Sequence, residues 1–164
     1  MFDEDGGRFE IQLIGYDDMD TIELQVAVVT DAASMAVRVF VSSERLRKDL
    51  RGLSRLVELR KAHADTNQFY DLRLSDFGPE LAYGAVHARF HAVDAGLFVT
   101  CQMQGEFDGF GRKEVADVAV FHLLSDPAWL EAFELDLAQL AAGRRQQALL
   151  RLLPRANFTV QQRH

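Results

Sequence analysis

The chain has 164 residues, of which 48% are hydrophobic and 26% charged, a globular balance that excludes a disordered or fibrous protein. No apolar run approaches the roughly 20 residues of a membrane-spanning helix, and the start MFDEDGG is acidic where a signal peptide is basic, so we expect a cytoplasmic protein. We expect a single domain over 1–164, with disorder over 1–7 and a basic extension over 144–164 whose order the sequence leaves open.

The net charge of −7 is unevenly distributed along the chain. Residues 144–164 carry five arginines and no acidic residue, so the remaining 143 residues hold 13 basic and 25 acidic side chains, a charge of −12. An acidic body repels nucleic acid and attracts basic partners. We therefore expect a partner that is another protein, and neither nucleic acid nor a membrane.

Seven segments show the alternation of apolar and polar residues that is typical of strands with one buried face. The apolar positions of the first three are Phe9, Ile11 and Leu13, then Ile22, Leu24, Val26 and Val28, then Met35, Val37, Val39 and Val41. Four more strands are predicted over 70–74, 81–93, 97–107 and 115–124. The short links between them favour antiparallel neighbours.

Two segments change to helical periodicity. The first runs from Ser43 to about Ala62, with leucine or valine at 46, 50, 53 and 57 and a serine as its cap. The second begins at the capping residue Asp126, followed by Pro127 at the first helical position. After Gly143, the stretch RRQQALLRLLP is expected to continue as helix up to Pro154.

These elements predict an α+β fold in the order βββαββββα. We expect about seven strands in a mainly antiparallel, curved sheet, with both helices packed on its apolar side. Strong twist could close this sheet into a half-open barrel or divide it into two layers.

The stretch VHARFH carries His87 and His91 four residues apart, a spacing that suits a metal ion on a helix. In a strand, however, the same two side chains lie roughly 13 Å apart, and zinc–nitrogen bonds are only about 2.0 to 2.1 Å long. Polar His87, Arg89 and His91 alternate with apolar residues, which favours the strand. We therefore predict no metal site and no cofactor here, and a polar sheet face.

A turn at Ala95 and Gly96 would join this strand to the next one. The pairs expected across the two strands are His91 with Thr100, Arg89 with Gln102, His87 with Gln104, Phe90 with Cys101, and Ala88 with Met103. Cys101 would then face the core as an inert thiol. The facing of His122 stays open. A catalytic use of the polar face, with His87, Arg89, His91 and Glu106, is the alternative.

Two other patterns are candidate sites. GEFDGFGRKE lacks the G-x-x-x-x-G-K-[ST] pattern of a phosphate loop and is predicted to be a hairpin, in which Phe107 and Phe110 could anchor a partner or cover the core edge. Asp17, Asp18 and Asp20 lack the remaining ligands of a calcium loop and are interpreted as a solvated turn. No local signature of a nucleophile or a redox pair is present.

The first helix presents Arg47, Arg51 and Arg55 at successive i, i+4 steps opposite its apolar stripe. Like charges at this spacing repel each other by a few tenths of a kcal/mol per pair. A solvated face is the simplest interpretation, with Glu44 and Glu58 as partial compensation. The alternative is a docking stripe for an acidic partner or another subunit.

Four stretches over about 9–142 carry a family likeness, namely FEIQLIGYDD, ERLRKDLRGLSRLVEL, FYDLRLSDFGPELAYG and ELDLAQL. In these stretches and in the order of its elements, the chain resembles the WapI-type immunity proteins of bacterial polymorphic toxin systems. The chain departs from the family at DTIELQV, where the family tends to have an Asn-Trp pair. The resemblance implies a non-catalytic cytoplasmic α+β protein that neutralises a toxin domain by binding it. An acidic body suits a basic toxin such as a nuclease. A homo-oligomer is a further alternative.

Overall fold

The structure, a computed structural model, describes residues 6–16, 20–62, 68–75, 84–93, 96–106, 108–110 and 113–154. Within these ranges the chain forms ten strands and two helices. They are β1 (Arg8–Tyr16), β2 (Thr21–Val29), β3 (Ser34–Ser42), α1 (Ser43–Lys61), β4 (Gln68–Leu74), β5 (Ala85–Val93), β6 (Gly96–Gln104), β7 (Asp108–Phe110), β8 (Lys113–Val115), β9 (Val118–Ser125), α2 (Pro127–Ala141) and β10 (Gln147–Arg151).

Eight of these strands form two antiparallel sheets of four. Sheet A has the order β10-β1-β2-β3, and sheet B has the order β4-β5-β6-β9. The strands β7 and β8 pair as a separate hairpin, as predicted for GEFDGFGRKE. The α+β class and the order of the elements up to α2 are confirmed, and the strands are divided between two sheets, which is one of the arrangements that the sequence left open. Neither helix of the described chain is long and apolar enough to cross a membrane.

The prediction of helix after Gly143 is wrong. Residues Gln147–Arg151 form β10, which pairs antiparallel with β1 so that Leu150 lies opposite Phe9. Ala148 and Leu150 are fully buried while Gln147 and Arg151 are exposed, which is a period of two. Gly143, at φ 75°, takes the left-handed conformation that ends α2 and turns the chain back toward β1.

The predicted cap of α2, Asp126, is confirmed, whereas α1 is capped by Ser42, one residue before the serine at which the helix was predicted to start. The side chain of Ser42 accepts a hydrogen bond from the Arg45 amide at 3.1 Å, and Asp126 Oδ1 accepts one from the Ala128 amide at 2.9 Å. Each cap satisfies one of the amides that a helix start leaves without an intrahelical partner. The two helices contact each other, and α1 also packs on β3 and β4 while α2 packs on β10.

The inner faces of both sheets and the apolar stripes of both helices enclose one core. At its centre lie Phe9 of sheet A, Phe90 of sheet B and Phe133 of α2, each with no exposed surface. Their ring centroids are 5.8 to 6.2 Å apart, in the tilted and edge-on arrangements that aromatic rings prefer. This contact joins the three layers of the fold.

A second contact places α1 against β4. The ring of Tyr70 lies on Gly52, where an added Cβ would overlap it, and the Tyr70 hydroxyl donates a hydrogen bond to the Asp49 carbonyl. Burial, with Asp49 and Asp71 nearby, raises the pKa of this tyrosine well above its usual range. Glycine in the middle of a helix is therefore explained by close packing.

We expect Gly52→Ala to lower the free energy of unfolding by about 1–3 kcal/mol, because overlap with Tyr70 outweighs the gain of about 1 kcal/mol in helix propensity. Urea denaturation followed by circular dichroism measures this. Gly15→Ala is the control, since an added Cβ there meets no atom within 4 Å. An unchanged or more stable Gly52→Ala protein would show that the contact does not constrain the helix.

Candidate protein-binding surfaces

The histidine-bearing segment is extended, as predicted, and forms the second strand of sheet B. Phe90 points into the core, whereas Arg89 on the opposite face is exposed. The predicted pairing is wrong by two residues: His87 lies opposite Gln102, Arg89 opposite Thr100, and His91 opposite Phe98. Because side chains in a strand alternate with a period of two, this shift exchanges neighbours and leaves every side chain on its predicted face.

The same shift changes the inner-face pairs. Phe90 lies opposite Val99 in place of Cys101, and Ala88 lies opposite Cys101 in place of Met103. Cys101 nevertheless faces the core, and burial raises the pKa of its thiol to about 12. The thiol is thus protonated at neutral pH, which agrees with the prediction of an inert cysteine.

Asp71 organises the polar face of sheet B and was not singled out in the sequence. It lies opposite Arg89 in the β4–β5 register and accepts two hydrogen bonds from it, from Nε at 2.7 Å and from an Nη at 2.9 Å. His87 Nε2 lies 3.4 Å from the same carboxylate. The Arg89 guanidinium also stacks 4.4 Å from the centre of the exposed Phe69 ring. Arg89 is therefore held by an acid and an aromatic ring.

The electrostatics of the pair follow from this geometry. The hydrogen bond from Arg89 lowers the pKa of Asp71, against the opposing effect of burial, and the nearby His87 acts in the same direction as Arg89. In turn, Asp71 raises the pKa of Arg89. Both groups are charged at neutral pH, so the Asp71 carboxylate is engaged and unsuited to act as a general base there.

His122 belongs to this face as well. It is exposed on β9, opposite Thr100, which settles the orientation that the sequence left open. Val118 and Val120 share its side of β9 and are 59% and 51% exposed. The outer face of sheet B thus combines a histidine-rich centre with an apolar rim at β9. By contrast, Gln104 at the end of β6 is buried.

The residues of the proposed catalytic alternative come from two places: His87, Arg89 and His91 lie on β5, whereas Glu106 follows the end of β6 by two residues, outside the β5–β6 ladder. A cavity of about 250 Å³ lies between the C-terminal end of α1 and the N-terminal end of α2, lined by residues such as Val57, Lys61 and Glu131. In the described parts of the chain, no three histidine, cysteine, aspartate or glutamate side chains converge as metal ligands.

The arginine row, which we define as Arg47, Arg51 and Arg55, lies on the exposed side of α1. The described side chains provide no ion pair for any of the three. In contrast, the neighbouring flank of α1 is tied to α2, where Ser54 donates a hydrogen bond to Glu134 and Lys61 pairs with Glu131. The arginine row is therefore an unpaired basic strip beside the junction of two helices.

Two predicted sites lie wholly or partly outside the residues that the structure describes. Phe107, and the side chain of Phe110 in β7, are not among the described groups, so the anchoring role predicted for them stays a prediction. Asp17 and Asp18 also lie outside the described residues, whereas Asp20 is exposed.

Comparison with known proteins identifies no relative. No family model matches the chain, and neither the curated proteins nor the solved structures contain a match. Support for a function therefore comes from the sequence patterns and from the geometry of the arginine row and of the outer face of sheet B.

We expect Arg89→Gln to raise the pKa of Asp71 toward its ordinary value of about 3.9, because the largest cause that depresses it is removed. Carboxyl carbon NMR titration measures this pKa.

The depressed pKa of Asp71 means that its pair with Arg89 stabilises the fold above about pH 4, and that this contribution is lost as the pH falls through the pKa of the folded state. Asp71→Asn should accordingly lower the free energy of unfolding at pH 7, and this loss should shrink as the pH falls below about 4. If the pKa of Asp71 is the same in Arg89→Gln as in the wild-type protein, the proposed effect of the ion pair is contradicted.

Proposed function

We propose that the chain is a non-catalytic binding protein that forms a stoichiometric complex with another protein. In its specific form, the proposal is that this complex neutralises a toxin domain, as in the immunity proteins that the sequence resembles. The observation that carries the general proposal is the arginine row of α1, which is exposed and unpaired among the described residues.

The arginine row is better explained by a partner than by the fold. The apolar stripe and the Ser42 cap already account for the position of α1, since Leu46 and Leu53 are completely buried. Three arginines at i, i+4 spacing repel each other without contributing to that burial. Arginine is also enriched at the energetic centres of protein interfaces, because its guanidinium binds carboxylates through two hydrogen bonds.

The outer face of sheet B supports an enzyme less well. His87 and His91 lie on an extended strand, and the nearest described acid, Asp71, is engaged by Arg89. A general base needs both a free lone pair and a place for substrate within hydrogen-bond reach. The exposed Phe69 and the stacked Arg89 instead resemble the aromatic and arginine pairs found in binding surfaces.

The test is a binding measurement with the protein encoded next to this chain. We expect a complex of one-to-one stoichiometry by calorimetry and sedimentation, with the partner's toxic activity lost in proportion to the complex formed. The partner should be recovered chemically unchanged. A partner that is modified by catalytic amounts of the chain, or the lack of any complex with neighbouring products, would overturn the proposal.

A second candidate function is assembly of the chain with itself through β9. The Leu153 amide donates a hydrogen bond of 2.7 Å to the Leu124 carbonyl, on the edge of β9 that faces away from β6. Because backbone groups alternate in direction along a strand, those of residues 118, 120 and 122 point to the same edge. No described strand pairs with this edge. Edge strands are usually protected by charge or proline, and β9 reads VAVFHLLS. Antiparallel pairing of two β9 strands would cover the exposed valines.

This second candidate predicts that the sedimentation coefficient rises with protein concentration, and that Val120→Lys abolishes the rise by placing a charge at the centre of the paired edge. Leu135→Lys, an equally exposed apolar position on α2, is the control and should leave self-association intact. A wild-type protein that stays monomeric over a hundredfold concentration range, roughly 1–100 μM, would exclude assembly through β9.

A further inference from the structure

We propose that the arginine row and Leu135 together form the docking surface for an acidic amphipathic helix of the partner protein. This inference rests on the proposed binding function and names the chemistry of the partner. It follows from the spacing of the arginines, the position of Leu135 and the distribution of charge.

The spacing of the arginine row suits a helix. Residues four apart on a helix are separated by about 6 Å along its axis, so the three guanidinium groups follow a line of about 12 Å. Carboxylates at successive i, i+4 positions of a second helix repeat at the same interval. Three arginine–carboxylate pairs can therefore form along two roughly parallel helix axes without distortion of either backbone.

The position of Leu135 supplies the apolar contact. Ser54, which lies between the positions of Arg51 and Arg55 on α1, donates to Glu134 of α2, so this part of the arginine row borders α2. Leu135 follows Glu134 directly and is 54% exposed. An apolar side chain beside a basic strip is the arrangement that binds an amphipathic helix along a groove.

Charge complementarity favours an acidic occupant. Within α1 there are seven basic and three acidic residues, which leaves eleven basic and twenty-two acidic residues in the rest of the chain. The strip is thus a basic surface on an acidic protein. The field of the acidic body repels an extended polyanion such as nucleic acid, whereas a short acidic helix can lie on the strip alone.

A second copy of this chain fits the surface less well than a foreign helix. The acidic helix of the described chain is α2, and its acids already have partners: Glu131 pairs with Lys61, Glu134 accepts from Ser54, and Asp136 lies 3.4 Å from Arg145. Docking α2 of one copy on the arginine row of another would break these contacts. A foreign helix with unpaired carboxylates has no such cost.

The experiment uses a synthetic, capped, alanine-based helical peptide with glutamates at three successive i, i+4 positions and a leucine beside the central one. We expect saturable binding to the full chain by fluorescence anisotropy, weakened as salt rises from about 50 to about 500 mM. Arg51→Glu should weaken binding about tenfold or more, and Arg51→Gln by less. Leu135→Ser should weaken it without changing the salt dependence.

Matched controls separate this surface from general electrostatic attraction. Arg151→Glu makes the same change of charge at an exposed residue on the outer face of sheet A, opposite Arg8, and should leave peptide binding unchanged. The peptide with glutamine in place of each glutamate should not bind. Circular dichroism melting shows that each variant is folded.

Several results would overturn the inference. They are equal binding by wild type and Arg51→Glu, equal binding of the glutamine peptide, tighter binding of a 20-base-pair DNA duplex, or self-association that Arg51→Glu abolishes. The neighbouring protein distinguishes the two proposals: if it binds wild type and Arg51→Glu equally tightly, the docking surface is wrong and the binding function stands. If it binds neither, the binding function itself fails.

Discussion

The contact of Phe9, Phe90 and Phe133 is the constraint on which the surfaces of this protein depend. Each ring comes from a different layer and is completely buried, so none can be turned outward without opening the core. Because strand side chains alternate, an inward Phe90 forces Arg89 and His91 outward. In the same way, an inward Phe133 places Leu135 about 200° further around α2, on its exposed side. The core thereby selects which residues are available to a partner.

This dependence explains which features the sequence could predict. The alternation of apolar and polar residues alone predicts which side chains of β5 face the core, because only one face of the strand is buried. It does not predict the register with β6, since a shift of two residues keeps every side chain on the same face. The turn decides that register. Val93 lies opposite Gly96, so Gly96 belongs to β6, whereas the sequence predicts it to be part of the turn.

Long-range pairing accounts for the remaining differences. Leucines at 149, 150, 152 and 153 fit a helical stripe as well as a strand, and pairing with the edge of β1 decided in favour of the strand. Asp71 was missed for a related reason. The alternation of FYDLRL shows that it faces away from Leu72, but its place opposite Arg89 depends on the register of two strands joined by a long link. Sequence patterns predict which face of a sheet a side chain lies on, whereas tertiary contacts determine which residues it lies beside.

Arg89 and the arginine row differ in whether the fold provides partners for their positive charges. Arg89 has a carboxylate held in place by the β4–β5 register and an aromatic ring beneath its guanidinium, so its charge is satisfied within the chain. The arginine row has neither among the described side chains, and α1 is anchored by buried leucines on its opposite side. Guanidinium groups that are repelled by their neighbours and unused by the core gain most from carboxylates brought by another molecule. For that reason we propose α1 as the binding surface ahead of the histidine-bearing face of sheet B, although sequence patterns mark both as candidates.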